Sequence, residues 1–276
     1  MTITLLVTWL ASSFLLRSGD VHPQPGPVHI VSANITSMHT YCQDVASWLA
    51  DIIAVQETRL TLKGQQVMAG ILRERGWGTL WGQPMPAGSA GVWHSAPGGV
   101  GLLARSPWAM KLVVPAGDNE LGQSLWQSTR WMHAYVTTGD GKGGFNIQVV
   151  YGILGNARLG KELLTKVLEY SAGLGNAPSL IAADFNINLD RYDDLPHTLS
   201  ASLTLGDWVD LDALWANLHG TPLCATTTKS IAAHPTRIDG VWASRRTARL
   251  LAGVATIPST LPCHDVVCYT MLFDAP

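Results

Sequence analysis

Asp184 and Asn186 offer a carboxylate and an amide, two residues apart, at the end of the apolar run Ser179-Leu180-Ile181-Ala182-Ala183. Such a run reads as a buried strand, and open α/β sheets bind their ligands at the carboxyl ends of strands. On an extended backbone, side chains two apart face the same way. A carboxylate and an amide aimed at one point suit a hydrated divalent cation or a phosphate oxygen. The same D-x-N pattern also opens ordinary Asx turns, which need no ligand.

Other polar residues stand at the ends of apolar runs, so several strands must bring them together. Val28 to Ala33 leads to Asn34, Asp51 to Val55 leads to Gln56-Glu57-Thr58, and Phe145 to Val150 leads to Tyr151. A phenol at such a position can donate to developing negative charge, although a buried Tyr is also an ordinary core residue. Tyr41 to Ala50 has helical spacing, with Val45, Trp48 and Leu49 as its apolar face. Helices are also predicted over 62–75, 160–172 and 206–218, the last with Trp208, Leu211, Leu214 and Trp215. Trp126 to Thr137 and Phe145 to Tyr151 read as a strand pair across a Gly-Asp-Gly-Lys-Gly-Gly turn, and 76–98 as irregular hairpins.

Composition bounds these readings. The chain has 276 residues, of which 47% are apolar, 11 are Trp and only 14% are charged, against a usual charged share of about 25%. Much of the sequence must therefore be buried, in one large α/β domain or two small ones. The formal net charge of −2 argues against a dedicated nucleic-acid binder, although a site rich in carboxylates awaiting metal would also lower it. Cys42, Cys224, Cys263 and Cys268 form no C-x-x-C pair, so free thiols are expected.

Residues 3–16 are apolar and are followed by Arg17 to Pro27. Fourteen residues fall short of the about 20 that span a bilayer as a helix, so no transmembrane span is expected. Asp20, Val21, Pro25, Gly26 and Pro27 resemble the D-V-E-x-N-P-G-P of 2A-like ribosome-skipping peptides, with His22 for Glu and Gln24 for Asn. A hydrophobic signal sequence or a Pro-rich linker are the other readings of 1–27. The folded domain is expected over 28–276.

The polar stations, in chain order, resemble those of the endonuclease/exonuclease/phosphatase superfamily of DNase I-like enzymes. Gln56-Glu57-Thr58, Gly98-Gly99-Val100-Gly101-Leu102-Leu103, Asp184-Phe185-Asn186, Arg237-Ile238-Asp239 and His264-Asp265-Val266-Val267 carry the resemblance. It implies a four-layer α/β sandwich of two mixed β-sheets flanked by helices. It also implies Mg2+, or Mn2+, held by Glu57. Asn34 would contact the attacked phosphate, Tyr151 would hydrogen-bond it, and Asp184 and Asn186 would orient and activate water. Asp239 would fix the tautomer of His264 and favour its imidazolium. Thr226 stands near a Thr that some retroelement endonucleases place beside the site. Two positions depart from the pattern: Leu154 replaces the Asn of Y-x-P-N, leaving Asn156 as a substitute, and Cys263 replaces an Asp near the metal.

Among superfamily members the spelling is closest to endonuclease domains of LINE-type retrotransposons. The expected activity is Mg2+-dependent nicking of DNA to a 3′-hydroxyl and 5′-phosphate by a monomer, with DNA as its partner and no stable protein partner. The alternatives are a phosphoesterase acting on phosphoinositide, sphingomyelin or RNA, and a binding module that has lost its chemistry. The compartment would be nuclear for a retroelement enzyme and secretory if residues 3–16 act as a signal. Only twelve residues follow His264, so an isolated unit, a truncated element or a host gene is expected. Loops 82–98 and 187–202 are expected to shape specificity.

Overall fold

A computed structural model describes residues 26–86, 98–138, 143–189, 208–223, 226, 236–257, 259–262 and 264–273. The leader up to residue 25, Cys224, Cys263 and most of loops 82–98 and 187–202 lie outside the described residues. The strands in chain order are β1 (Val28–Asn34), β2 (Ile52–Gln56), β3 (Trp77–Trp81), β4 (Val100–Arg105), β5 (Trp108–Leu112) and β6 (Trp131–Thr138). They continue with β7 (Gly144–Tyr151), β8 (Ser179–Asp184), β9 (Trp208–Asp210), β10 (Asp239–Ser244), β11 (Leu251–Ile257) and β12 (Val266–Met271).

These strands form two six-stranded sheets, ordered β11-β12-β1-β2-β4-β3 and β5-β6-β7-β8-β10-β9. Each sheet has one parallel pair at its centre, β1 with β2 and β7 with β8, and each is otherwise antiparallel. Both parallel crossovers run through helices, Met38–Ser47 in the first and Ala157–Ala172 in the second. The expected architecture of two mixed sheets flanked by helices is the observed one.

The period-two alternation of strand side chains explains the layers. Ile30, Ile52, Ala54, Leu102, Ala134, Ile147, Val149, Leu180, Ala182 and Val241 meet in the core between the sheets. Their neighbours Val31, Ile53, Val55 and Leu103 pack against the helices Met38–Ser47 and Leu62–Arg73. On the other side Val150, Ile181, Ala183 and Trp242 pack against Leu163, Leu164, Val167 and Leu168 of Ala157–Ala172. Burying each such side chain contributes roughly 1.5–3 kcal/mol.

Several expected boundaries move. The first helix ends at Ser47, so Trp48 turns into the core while Leu49 is exposed. The strand expected from Trp126 begins at Trp131, because Asn119 caps a helix over Glu120–Gln127 by accepting from Gly122 N. Trp208 belongs to a short strand, and the following helix starts at Leu211, where the Asp210 carboxylate accepts from Asp212 N and Ala213 N. Cys42 and Cys268 are buried free thiols. No helix among the described residues is long and apolar enough to cross a membrane.

Candidate active site

The alternation that fills the core also builds the site. Continuing each inward-facing series to its strand end gives Asn34 on β1, Gln56 on β2, Tyr151 on β7, Asp184 on β8 and Asp239 on β10, all buried. Register holds them side by side: Asn34 faces Gln56, Tyr151 faces Asp184, and Asp184 faces Asp239. A bond between the sheets closes the group, Asn34 Nδ2 donating to Asp184 Oδ2 at 2.7 Å.

Asp184 is fully buried, and its other oxygen accepts from Asn186 N at 2.9 Å. Burial first, and then the charge of Asp239, push its pKa up to about 7, against the pull of His264, Asn34 and Asn186. Asn186 does not continue the strand, as its spacing suggested. It sits at φ 51° beyond the end of β8, turned by its own backbone bond to Asp184. The pair is therefore an Asx turn whose carboxylate also meets Asn34 of the other sheet.

His264, just before β12, shares a 2.8 Å hydrogen bond between Nδ1 and Asp239 Oδ2. Burial alone would lower its pKa, but the bond to Asp239 and the charges of Asp239, Asp184 and Glu57 raise it to about 9. At neutral pH the ring is an imidazolium that donates from Nδ1 to Asp239 and keeps Nε2–H for another acceptor. Thr226 holds this corner: its Oγ1 accepts from Ile238 N and Asp239 N, both at 3.1 Å, and its carbonyl accepts from Asp265 N. Arg237 is buried and paired with Asp210 at 2.7 Å, fixing the same segment from behind.

Tyr151 lies beside Glu57, and its phenol is pushed well above its ordinary pKa by burial first, then by the charges of Glu57 and Asp184. It is thus a permanent donor. Arg130 places its guanidinium 4.8 Å from the Tyr151 ring centre and donates from Nη1 to Gly152 O at 2.7 Å. Asn186 Nδ2 donates to the same carbonyl at 3.2 Å. Gly152 packs against the backbone just past β8, where a Cβ would stand 2.1 Å from Phe185 O.

Glu57 has left-handed backbone, φ 56°, and its carboxylate is ion-paired with Arg59. Asn156, the candidate to replace the polar contact that Leu154 lacks, caps the helix Ala157–Ala172: its Oδ1 accepts from Leu159 N at 3.1 Å. Gln56, Arg59 and Arg130 carried no role in the sequence reading. Gln56 and Arg59 flank Glu57, while Arg130 reaches Tyr151 and Gly152 only through β6–β7 pairing, which no local pattern announces.

One atom of each of Asp184, Asp239 and His264 lies within 4.8 Å of the others, a group able to hold a metal ion. Asp239 Oδ1 is buried without a hydrogen-bond partner among the described residues, an oxygen suited to a hard divalent cation. His264 fits that role less well than the carboxylates do, because the proton that Asp239 stabilises must leave before the ring can ligate. The donor set therefore fits a divalent cation held by oxygens.

The sequence profile of the Endonuclease/Exonuclease/phosphatase family matches residues 31–260. The chain belongs to that family. Its members are hydrolytic nucleases and phosphatases, and this chain is an enzyme of that class. No curated protein matches it in sequence. Among solved structures, a variant of the Neisseria 3′ phosphatase NExo bound to a product DNA hairpin is similar with TM-score 0.66 and 18% identity, over 89% of this chain and 100% of that one. The Xenopus laevis APE2 catalytic domain is similar with TM-score 0.60 and 19% identity, covering 88% and 91%. An AP endonuclease from Archaeoglobus fulgidus gives 0.61 and 14%, covering 88% and 99%. At these identities the likeness establishes a DNase I-like fold.

Proposed function

We propose that this enzyme is a Mg2+-dependent phosphodiesterase that nicks DNA, leaving a 3′-hydroxyl and a 5′-phosphate. The observation that carries the reading is a buried carboxylate, Asp184, gripped by Asn34 and set beside the hydrogen-bonded Asp239–His264 pair. Mg2+, or Mn2+ in its place, would be held by Glu57 and supply Lewis-acid polarisation of the phosphodiester.

The chain's own residues then divide the work. Asp184 takes a proton from the attacking water, Asn34 fixes the carboxylate, and the Asn186 amide holds the water. The water oxygen bonds to phosphorus while the bond from phosphorus to the 3′ oxygen breaks, and that oxygen takes a proton from solvent to become the 3′-hydroxyl. His264 Nε2–H and the Tyr151 phenol donate to the charge developing on the phosphoryl oxygens. The Asp239 carboxylate keeps His264 charged. A DNA substrate is supported by the NExo variant's bound DNA hairpin. The retroelement setting, and with it nuclear use, rests on the motif spelling and on the leader Asp20 to Pro27.

The test is nicking of supercoiled plasmid by the purified chain in Mg2+ or EDTA, beside Asp184→Ala and Cys263→Asp. Mg2+-dependent nicking that Asp184→Ala abolishes is the expected result. Unchanged nicking in Asp184→Ala would remove the assignment. Nicking only after Cys263→Asp would indicate decayed chemistry. A reading at DNA 3′ ends has one observation in its favour, since NExo is described both as a 3′-5′ exonuclease and as a 3′ phosphatase. Release of phosphate from a 3′-phosphorylated oligonucleotide, with intact plasmid, would favour it.

A further inference from the structure

Glu57 and Arg59 both have positive φ, 56° and 55°. Left-handed backbone is uncommon for residues with side chains and persists where the surroundings impose it. Here they do so from both sides. Thr58 N donates to Gly99 O and Arg59 N to Gly98 O, both at 3.0 Å, while Met38 N donates to Thr58 O at 3.2 Å. Gly99 is itself at φ 85°, and a Cβ there would stand 2.4 Å from Thr58 Oγ1. The turn is thus built to hold two side chains together. Arg59 Nε donates to Glu57 Oε1 at 3.1 Å, and Nη2 makes an ion pair with the same oxygen. The Glu57 side chain is 9% exposed and that of Arg59 22%. A carboxylate this deeply buried is costly without a counter-charge, and Arg59 supplies one.

We propose that Arg59 is an internal counter-cation that holds Glu57 in the metal-free enzyme and releases it when a divalent cation binds. This rests on the reading of Glu57 as a metal ligand given above. Both contacts of Arg59 fall on Oε1, and a divalent cation that draws on the same carboxylate competes with the guanidinium for it. Arg59 therefore sets the metal concentration at which the site loads, and loading frees a guanidinium beside the place a phosphate would occupy. A purely structural Arg59 has the opposite consequence: if it only kept Glu57 in position, removing it would weaken metal binding.

The experiment measures Mn2+ binding to the full chain by electron paramagnetic resonance of the free ion, with metal-free melting curves alongside. Wild type is compared with Arg59→Gln, Arg59→Lys and Glu57→Gln. Arg59→Gln is expected to bind Mn2+ roughly tenfold more tightly and to melt at a lower temperature without metal. Arg59→Lys, which keeps the charge but loses the planar fork, should tighten binding by a smaller factor and decides the matter if Arg59→Gln does not fold. Unchanged or weaker binding in the arginine variants, with binding lost in Glu57→Gln, would overturn the counter-cation role alone. Wild-type binding in Glu57→Gln would overturn the metal-ligand reading and this inference with it.

Discussion

Asp184 and His264 hold their protons through opposite balances of the same forces. Burial works against charge on both, but Asp239 repels the Asp184 carboxylate and attracts the His264 ring, leaving the first near 7 and the second near 9. A reaction that needs Asp184 ionised and His264 protonated gains activity as pH rises through about 7 and loses it through about 9. Initial rates of nicking across that range are expected to trace a bell. Asp239→Asn removes the main support for the imidazolium, so its alkaline limb should fall at lower pH, by about one unit or more. A limb that stays in place would remove Asp239 from its positioning role. Asp184→Ala should lower kcat/KM by at least about a thousandfold while leaving far-UV circular dichroism unchanged.

At the scale of elements, the strands carry the site and the turns aim it. Glu57, Arg59 and Asn186 are left-handed just past strand ends, and Thr36 and Thr129 flank Asn34 and Arg130 in the same conformation. Strain concentrated there is the counterpart of the regular strands behind it. Gly152 joins β7 to β8 by donating from its N to Asp184 O at 2.6 Å, with no room for a Cβ. Gly152→Ala is expected to cost about 2 kcal/mol or more, read from chemical denaturation, and to reduce nicking through Tyr151 and Asn186 together. Thr226→Val keeps the shape but strands two backbone N–H groups behind Asp239, so a loss of about 1–3 kcal/mol is expected. If the Thr226→Val melting temperature matched wild type, those bonds would be dispensable.

For the whole molecule, packing two sheets face to face leaves several acids with little solvent. Asp184 and Asp212 are both raised to about 7, Asp212 by burial first and then by Asp210, and His264 to about 9. All three bind protons more tightly folded than unfolded. Their stabilising contribution is complete below the unfolded values and is lost as pH rises through the folded ones. In EDTA, stability should therefore fall from about pH 4, where the two aspartates begin to ionise in the unfolded chain, up to about pH 9, where folded His264 loses its proton. Divalent metal should restore much of the loss at the alkaline end. A flat melting profile in EDTA would show that these groups relax into solvent.

The sequence by itself determined the buried strands and the inventory of polar ends. The apolar runs of β1, β2, β7 and β8 mark strands, and the motif spelling pointed to Asn34, Glu57, Tyr151, Asp184, Asn186, Asp239 and His264, while which face of each strand meets the other sheet shows only in the fold. What those residues do to each other was decided only in three dimensions. Asn34 and Asp184 are 150 positions apart, and the bond between them exists because two sheets stack. The same spacing rule that found Asp184 misplaced Asn186, since a strand ends where its partner's pairing ends, and the Asx turn takes over from there. Asn156 was open as a substitute for the contact missing at Leu154, and only the fold shows it as the cap of its own helix. Arg130 carries no local signature at all, and the bonds of Thr226 behind Asp239 show only in the fold, because a side chain that positions another across a sheet is specified by register, and register is a property of the pairing of strands distant in sequence.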